Sequence, residues 1–300
     1  MSGNPAAGAP LPKAVLSDEL KARIAERVKT WGVRAERAFA TGTSAFVVGT
    51  RDGRSVVVKV TRGAGDEWRS GEITAAFGGR GVVQVLEHVD GAALLERLVP
   101  ATPLVSLVLE GKDDEATEVI AALLRRMSPG DPPVACATVE AWGLGFDRYL
   151  ATADTRIPRE LVLHAQRVHS ELAAAQREPA LLHGDLQHYN VLHDERRGWL
   201  AIDPKGVIGE LEYEIGAALR NPYERPELLA SPDVIERRLA IFHSALGIDV
   251  DRARAWAFAQ AVLSAIWSVE DGHAVDASNA ALRLAIAIEQ SSAFREDFGA

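Results

Sequence analysis

The sequence predicts an α+β fold in two lobes, a small sheet-rich N-terminal lobe and a larger, mainly helical C-terminal lobe. Three observations carry this reading. Two β-branched runs, Phe46 to Gly49 and Ser55 to Val60, flank Asp52-Gly53, a strong hairpin signal. Beyond residue 110 apolar residues recur at helical spacing in segment after segment. Between the two patterns, Leu98-Val99-Pro100-Ala101-Thr102-Pro103 holds two prolines, which remove backbone donors and favour extended chain. A hinge is placed there, dividing the chain into residues 1–98 and 99–300.

Residues 1–13, rich in Gly, Ala and Pro, read as a loose tail. From Ser17 an amphipathic helix is expected, with Leu20, Ile24, Val28 and Trp31 on one face, Asp18 and Glu19 in its first turn and Gly32 as its stop. The hairpin follows, then a helix over 66–77 interrupted by Gly71, then strands over Val82 to His88 and Ala92 to Arg97. Helices are expected over Ala116 to Met127, Pro158 to Gln176, Pro232 to Leu246, Arg252 to Val269 and Ala277 to Ser291. An apolar hairpin, Val191 to His193 with Trp199 to Ile202, interrupts the helical pattern.

Composition narrows the function classes. With 47% hydrophobic and 25% charged residues the chain is a folded globular protein, neither disordered nor fibrous. No apolar stretch approaches the ~18 residues that cross a bilayer, and no basic head with a long apolar run opens the chain. Neither a membrane partner nor secretion is indicated. The lone Cys136 fits a reducing compartment, and a cytoplasmic location is expected. A net charge of −9 with no basic tract argues against nucleic acid and suits a small cationic partner. Oligomeric state is left unassigned.

The strongest local signal is His183-Gly184-Asp185-Leu186-Gln187-His188-Tyr189-Asn190, followed by Ile202-Asp203-Pro204. Asp185 and Asn190 have the separation found in the kinase catalytic loop H-R-D-L-x-x-x-N, and Asp203 follows as a metal-binding Asp would. Phosphoryl transfer needs positioning, charge neutralisation and a group to orient the attacking hydroxyl. Asp185 suits the last role, as catalytic base. If Val191 to Ile202 turns between Arg196 and Arg197, Asn190 and Asp203 face each other at its open end, near enough to share Mg²⁺, which prefers oxygen ligands. Each of the three also fits a plain turn or strand-end role; together they point to chemistry.

Lys59 lies in Val56-Val57-Val58-Lys59-Val60, which resembles the strand whose lysine contacts the phosphates of ATP. The turn centre puts it opposite Phe46. Just past that point Gly42, Thr43 and Ser44 can fold over the phosphates and offer backbone N–H groups. A buried lysine needs an acidic partner, and both Glu72 and Glu67 are available on the next helix. Glu72 is preferred, because Ile73, Ala76 and Phe77 beside it can pack inward. At the hinge, Glu96 to Leu98 can present backbone groups to an adenine edge. Glu270 and Asp271, at the end of an apolar helix, are the candidate carboxylates for a cationic substrate. His183 and His188 read as residues that order the loop, and the spacing of His164 and His169 does not make a zinc pair.

With these residues placed, the chain resembles the aminoglycoside phosphotransferases, small-molecule kinases with a protein-kinase-like two-lobe fold, and within them the streptomycin and hydroxyurea branch. The resemblance runs from about Phe39 to Gly272. It rests on Ala40-Thr41-Gly42-Thr43-Ser44, Val57-Val58-Lys59-Val60, Leu94-Leu95-Glu96-Arg97-Leu98, Leu182 to Leu192, Ala201 to Gly206, Leu219-Arg220-Asn221-Pro222 and Trp267 to Gly272. It implies Asp185 as base, Asn190 and Asp203 as Mg²⁺ ligands, Lys59 as phosphate contact with Glu72 as its partner, and the antibiotic in the C-terminal lobe. It implies ATP and Mg²⁺ as cofactors, a nucleotide-binding lobe over 1–98, and a catalytic and substrate-binding lobe over 99–300. Gly184 and Pro204 replace an arginine and a phenylalanine of protein kinases, the nucleotide loop lacks a full G-x-G-x-x-G, and no Ala-Pro-Glu segment follows, so a peptide acceptor is disfavoured. Kinases of an amino sugar, a choline-like amine or hydroxyurea are the alternatives, and a silent nucleotide-binding protein is a third.

Overall fold

The computed structural model describes residues 17–298 apart from 42, 64, 65, 128–131 and 133–135. The tail read over 1–13 and the loop glycine Gly42 lie outside the described residues. Helix α1 (Asp18–Thr30) starts where the Ser17 hydroxyl accepts the Leu20 N–H at 3.2 Å, and Asp18 and Glu19 oppose the positive end of its dipole. Its apolar face packs on a five-stranded antiparallel sheet of order β1-β2-β3-β5-β4. The strands are β1 (Arg34–Ala40), β2 (Ser44–Arg51), β3 (Arg54–Thr61), β4 (Val85–Val89) and β5 (Ala92–Glu96).

The β2–β3 turn is built by Asp52 and Gly53, both at positive φ (48° and 75°), the mirror-image geometry whose twist suits a two-residue hairpin. Its register sets Lys59 opposite Phe46, as the turn position required. Phe39, Phe46, Lys59 and Ala93 are successive partners across four strands, so their side chains share one face of the sheet. Strand β1 was not expected: it is an exposed edge strand with alternating charges and no β-branched residue, so it carries no hydrophobic period.

A single helix over 66–77 was expected; the structure has a 3-10 turn, Asp66–Arg69, and then helix α2 (Ser70–Ala76). Gly71 does not weaken this element but seats it, since a Cβ there would stand 2.7 Å from the Cβ of His88 on β4. Val82 lies outside β4 and bridges to Ala201 instead. The prolines at the expected hinge do hold extended backbone, as strand β6 (Pro100–Pro103), which pairs antiparallel with β9 (Val191–Asp194) of the second hairpin.

Helices α3 (Val105–Leu109) and α4 (Asp113–Met127) lead to a short strand β7 (Ala137–Thr138) and to α5 (Val139–Leu150) and α6 (Arg159–Ala174). Strand β8 (Ala180–Leu182), the hairpin β9 with β10 (Gly198–Ala201), and β11 (Val207–Gly209) follow. The chain ends in α7 (Leu211–Leu219), α8 (Pro226–Leu229), α9 (Pro232–Leu246), α10 (Val250–Glu270), α11 (Ala280–Gln290) and α12 (Ser292–Phe298). The α10 helix is buried on every side, with Trp256, Phe258, Val262 and Ile266 inside, which makes it the axis of the C-terminal core. A smaller core of Leu20, Trp31, Val47, Val56, Val58, Val60 and Leu94 lies between sheet and α1. Ile73, Phe77, Val82, Val83 and Leu98 belong to the larger core, so the second half of the sheet region is packed onto the helices.

Candidate active site

The segment from His183 to Asn190 runs between β8 and β9 and is held by its own backbone. The His183 carbonyl accepts N–H bonds from Lys205 (2.8 Å) and Gly206 (3.1 Å), beside the β8–β11 pairing. Glu214, on α7, accepts the N–H of Gly184 at 3.0 Å and of Leu186 at 3.2 Å, one on each side of Asp185. Burial pushes the Glu214 carboxyl up to about 7, and these N–H donors work against that. Gly184 has φ +79°, and a Cβ there would stand 2.9 Å from the Trp142 ring, so the position excludes an arginine of the protein-kinase type. The His183 ring bridges the Ile202 carbonyl (3.0 Å) and the Asp185 N–H (3.3 Å), and burial lowers its pKa to about 4. It is a neutral tie between loop and hairpin.

The Asp185 carboxylate is oriented from both sides. Its Oδ1 accepts from Arg220 Nη2 at 2.9 Å, and its Oδ2 from Asn190 Nδ2 at 3.1 Å. Asn190 Nδ2 also reaches the Asp185 carbonyl at 2.9 Å. Burial raises the Asp185 pKa, against the opposing charges of Arg220 and Lys205. The side chain still keeps 26% of its surface open, so it is not sealed in the core.

The hairpin beyond it corrects one expectation. The register pairs Asp194 with Gly198 and Val191 with Ala201, so Asn190 faces Ile202, and Asp203 lies one residue past the pair. The turn has three loop residues, Glu195 to Arg197, closed by Gly198 at φ +73° and by the Asp194 carboxylate, which accepts the N–H groups of Arg196 (3.0 Å) and Arg197 (2.9 Å). An odd loop centres the hairpin on a residue, Arg196, instead of between two. Asp203 then takes a left-handed φ of 60°, uncommon for a residue with a Cβ, and its carboxylate meets Lys59.

Lys59 is 5% exposed and pairs with Asp203 and, at 3.5 Å, with Glu67. Glu67 also takes the Lys205 ammonium at 2.5 Å and the Ser44 hydroxyl at 3.1 Å. Ser44 thus touches the site, while Thr43 ties the loop to Arg62 through its carbonyl at 2.8 Å. Glu72 is not the partner of Lys59: it pairs with Arg69 at 2.5 Å and stands about one-third exposed. The cause is local. Ile73 and Phe77 take the inward stripe of α2, which leaves Glu72 beside it, and the tight 3-10 turn carries Glu67 toward the sheet.

Beside the expected hinge, the Glu96 side chain pairs with Arg197 and accepts the Gln84 N–H at 2.7 Å, so it braces the sheet against the hairpin. Among the described residues, nothing hydrogen-bonds the backbone N–H or carbonyl of Leu98. Glu270 pairs with Arg148 at 2.9 Å, and Asp271 caps α10. They lie just past Trp267, whose ring is 5.5 Å from that of Trp142, beside Gly184. Arg220, Lys205 and Glu214 were not expected in the site. A glutamate inside the apolar run Tyr213-Glu214-Ile215-Gly216-Ala217 is the signal that could have found one of them, since an acid is buried only with partners.

The fold is similar to that of aminoglycoside phosphotransferase APH(4)-Ia, seen as a thermostable mutant in ternary complex with ADP and hygromycin B. The TM-score is 0.60 with 17% sequence identity, covering 89% of this chain and 98% of that one. That likeness defines the class of fold, kinase-like, with a sheet-rich lobe and a helical lobe. The chain belongs to the aminoglycoside/hydroxyurea antibiotic resistance kinase family, whose model matches residues 30–272. It is 32% identical over 253 residues to a streptomycin 3''-kinase of Klebsiella pneumoniae, covering 82% of this chain and 92% of the relative. It is 34% identical over 265 residues to a hydroxyurea phosphotransferase of Kitasatospora aureofaciens, covering 84% and 74%. The resemblance read from the motifs is thereby met.

Proposed function

We propose that the protein transfers the γ-phosphoryl group of ATP to a hydroxyl of an aminoglycoside-type antibiotic of the streptomycin kind, and so confers resistance. The observation that carries this is the Asp185 carboxylate, fixed by Arg220 and Asn190, partly open, and grouped with Lys205 and with Asp203, which pairs with Lys59. In this reading Asp185 accepts the proton of the acceptor hydroxyl as its oxygen bonds to the γ-phosphorus and the bond to the departing ADP oxygen breaks. Lys59 and Lys205 neutralise phosphate oxygens, Ser44 and its loop cover them, and the open backbone groups of Leu98 meet the adenine edge. Residues 1–98 form the nucleotide-binding part and 99–300 the catalytic and acceptor-binding part.

The oxygen donors present fit Mg²⁺. Asn190 uses its amide nitrogen on Asp185, which leaves its oxygen for an ion, and Asp203 supplies a carboxylate. Among the described residues no cluster of three His, Cys, Asp or Glu could hold a metal, and Mg²⁺ in phosphoryl transfer typically takes one or two protein oxygens with the phosphates and water. Bound there, the ion would neutralise phosphate charge. Among the described residues no helix is long and apolar enough to cross a membrane, and we place the enzyme in the cytoplasm with its nucleotide.

The test is a panel of streptomycin, hydroxyurea, choline and glucosamine incubated with MgATP and read by phosphate mass gain. Streptomycin is expected to gain one phosphate, and Asp185→Asn to cut kcat ~10²–10⁴-fold with nucleotide binding kept. An unmodified panel, or a fully active Asp185→Asn, would overturn the reading. Hydroxyurea is the second reading, supported by the relative named for it.

A further inference from the structure

Resting on the kinase reading, we infer that Tyr189, Tyr223 and Glu224 form the subsite that holds a guanidinium or ammonium group of the acceptor. Two pieces of chain meet on Asp185: Asn190 at one carboxylate oxygen and Arg220 at the other. Tyr189 immediately precedes the first, and Tyr223 follows the second by three residues, just past Asn221-Pro222. Their rings stack at 4.8 Å with 21° between planes, and the Tyr189 hydroxyl donates to the Glu224 carboxylate.

The neighbouring side chains alternate in direction. His188 is buried against the Arg238–Asp113 pair, Tyr189 is half-buried, and Asn190 turns to Asp185. Unlike the core rings Phe77 and Trp256, both tyrosines keep surface open to water. Glu224 is exposed, and no Lys or Arg among the described residues pairs with it, since neighbouring Arg225 is taken by Glu227. An aromatic face next to a carboxylate that carries no cation is a receptor for one: the ring attracts the charge, and a guanidinium also stacks on the ring and matches the carboxylate with its fork. A neutral acceptor such as hydroxyurea gains neither contact. Net charge of −9 adds a long-range pull of the same sign.

Steady-state kinetics of the full chain with MgATP, using streptomycin and hydroxyurea as acceptors, tests this. Tyr223→Leu and Glu224→Gln are expected to raise the KM for streptomycin about tenfold, and to lower the streptomycin-to-hydroxyurea ratio of kcat/KM by about the same factor. The KM for ATP should stay within about twofold, and Tyr223→Phe, which keeps the ring, should retain the wild-type KM for streptomycin. An unchanged streptomycin KM in both Tyr223→Leu and Glu224→Gln would overturn the subsite. So would an equal loss on both acceptors with a lowered melting temperature, the mark of a pair that only braces the loop. A wild type that phosphorylates hydroxyurea but not streptomycin leaves the kinase reading standing and removes the cation subsite. A wild type active on neither removes the kinase reading itself.

Discussion

The two walls of the site, one on the sheet and one among the helices, balance their charges in opposite ways. On the sheet wall the partners come from far along the chain: Lys59 meets Asp203 across 144 positions, and Glu67 meets Lys205 across 138. On the helical wall Asp185 and its backbone are held within a short span, by Asn190 five positions on, Glu214 about 30 on and Arg220 35 on. These long-range pairs are interactions that phosphate oxygens can take over, because Lys59 and Lys205 can exchange one anionic oxygen for another. The internal set is independent of any ligand and gives the carboxylate a fixed direction. One wall is made to re-partner, the other to stay.

The strongest challenge to that contrast is at Glu214, the least compensated charge of the rigid wall. Burial raises its folded pKa to about 7, while an unfolded glutamate titrates near ~4.3. Its contribution is therefore fully present below about pH 4.3 and is lost as pH rises through about 7. Glu214→Gln, which cannot ionise, should gain on the wild type by on the order of 3 kcal/mol between those limits, read from denaturant midpoints across the range. A pH-independent difference would mean that the rigid wall holds its carboxylate charged at no cost.

Arg220 comes next. Arg220→Met removes the cation that opposes the raised pKa of Asp185, so the acid limb of kcat/KM should move to higher pH, with kcat about tenfold lower. Arg220→Lys should recover part of both. A profile that keeps its acid limb would show that Arg220 only braces the α7 end.

The smallest effects separate the two glutamates of the sheet wall. Glu67→Gln should raise the KM for ATP about tenfold by freeing Lys59 and Lys205 from their shared anchor. Glu72→Gln should leave that KM alone and change stability by less than about 0.5 kcal/mol, because its pair with Arg69 is a partly exposed local pair. The reverse order would restore Glu72 as the lysine's partner.

The loop from His183 to Asn190 was readable because its residues lie close together and each spacing has a chemical reason. The β2–β3 register was readable for a similar cause: Asp52 and Gly53 fix the turn, and the turn fixes every pair up to Lys59. The second hairpin was misplaced by one position, since Asp194 closes a three-residue loop through side-chain bonds that no hydrophobic period records. Helix α7 was not expected because its 9 residues, nearly all buried, form an apolar run too short to be told from a strand by its period.

By itself the sequence determined the element types where a period or turn was present, the acid, amide and lysine that suit phosphoryl transfer, and the family. The tertiary structure alone decided who partners whom. Glu67 rather than Glu72 meets Lys59, Arg220 meets Asp185, and Tyr189 meets Tyr223, because each of these pairs joins segments brought together only by packing. Local spacing reports on neighbours one or two turns away; a charge is neutralised by whatever stands within a few ångströms, and that depends on how the whole chain closes on its cores.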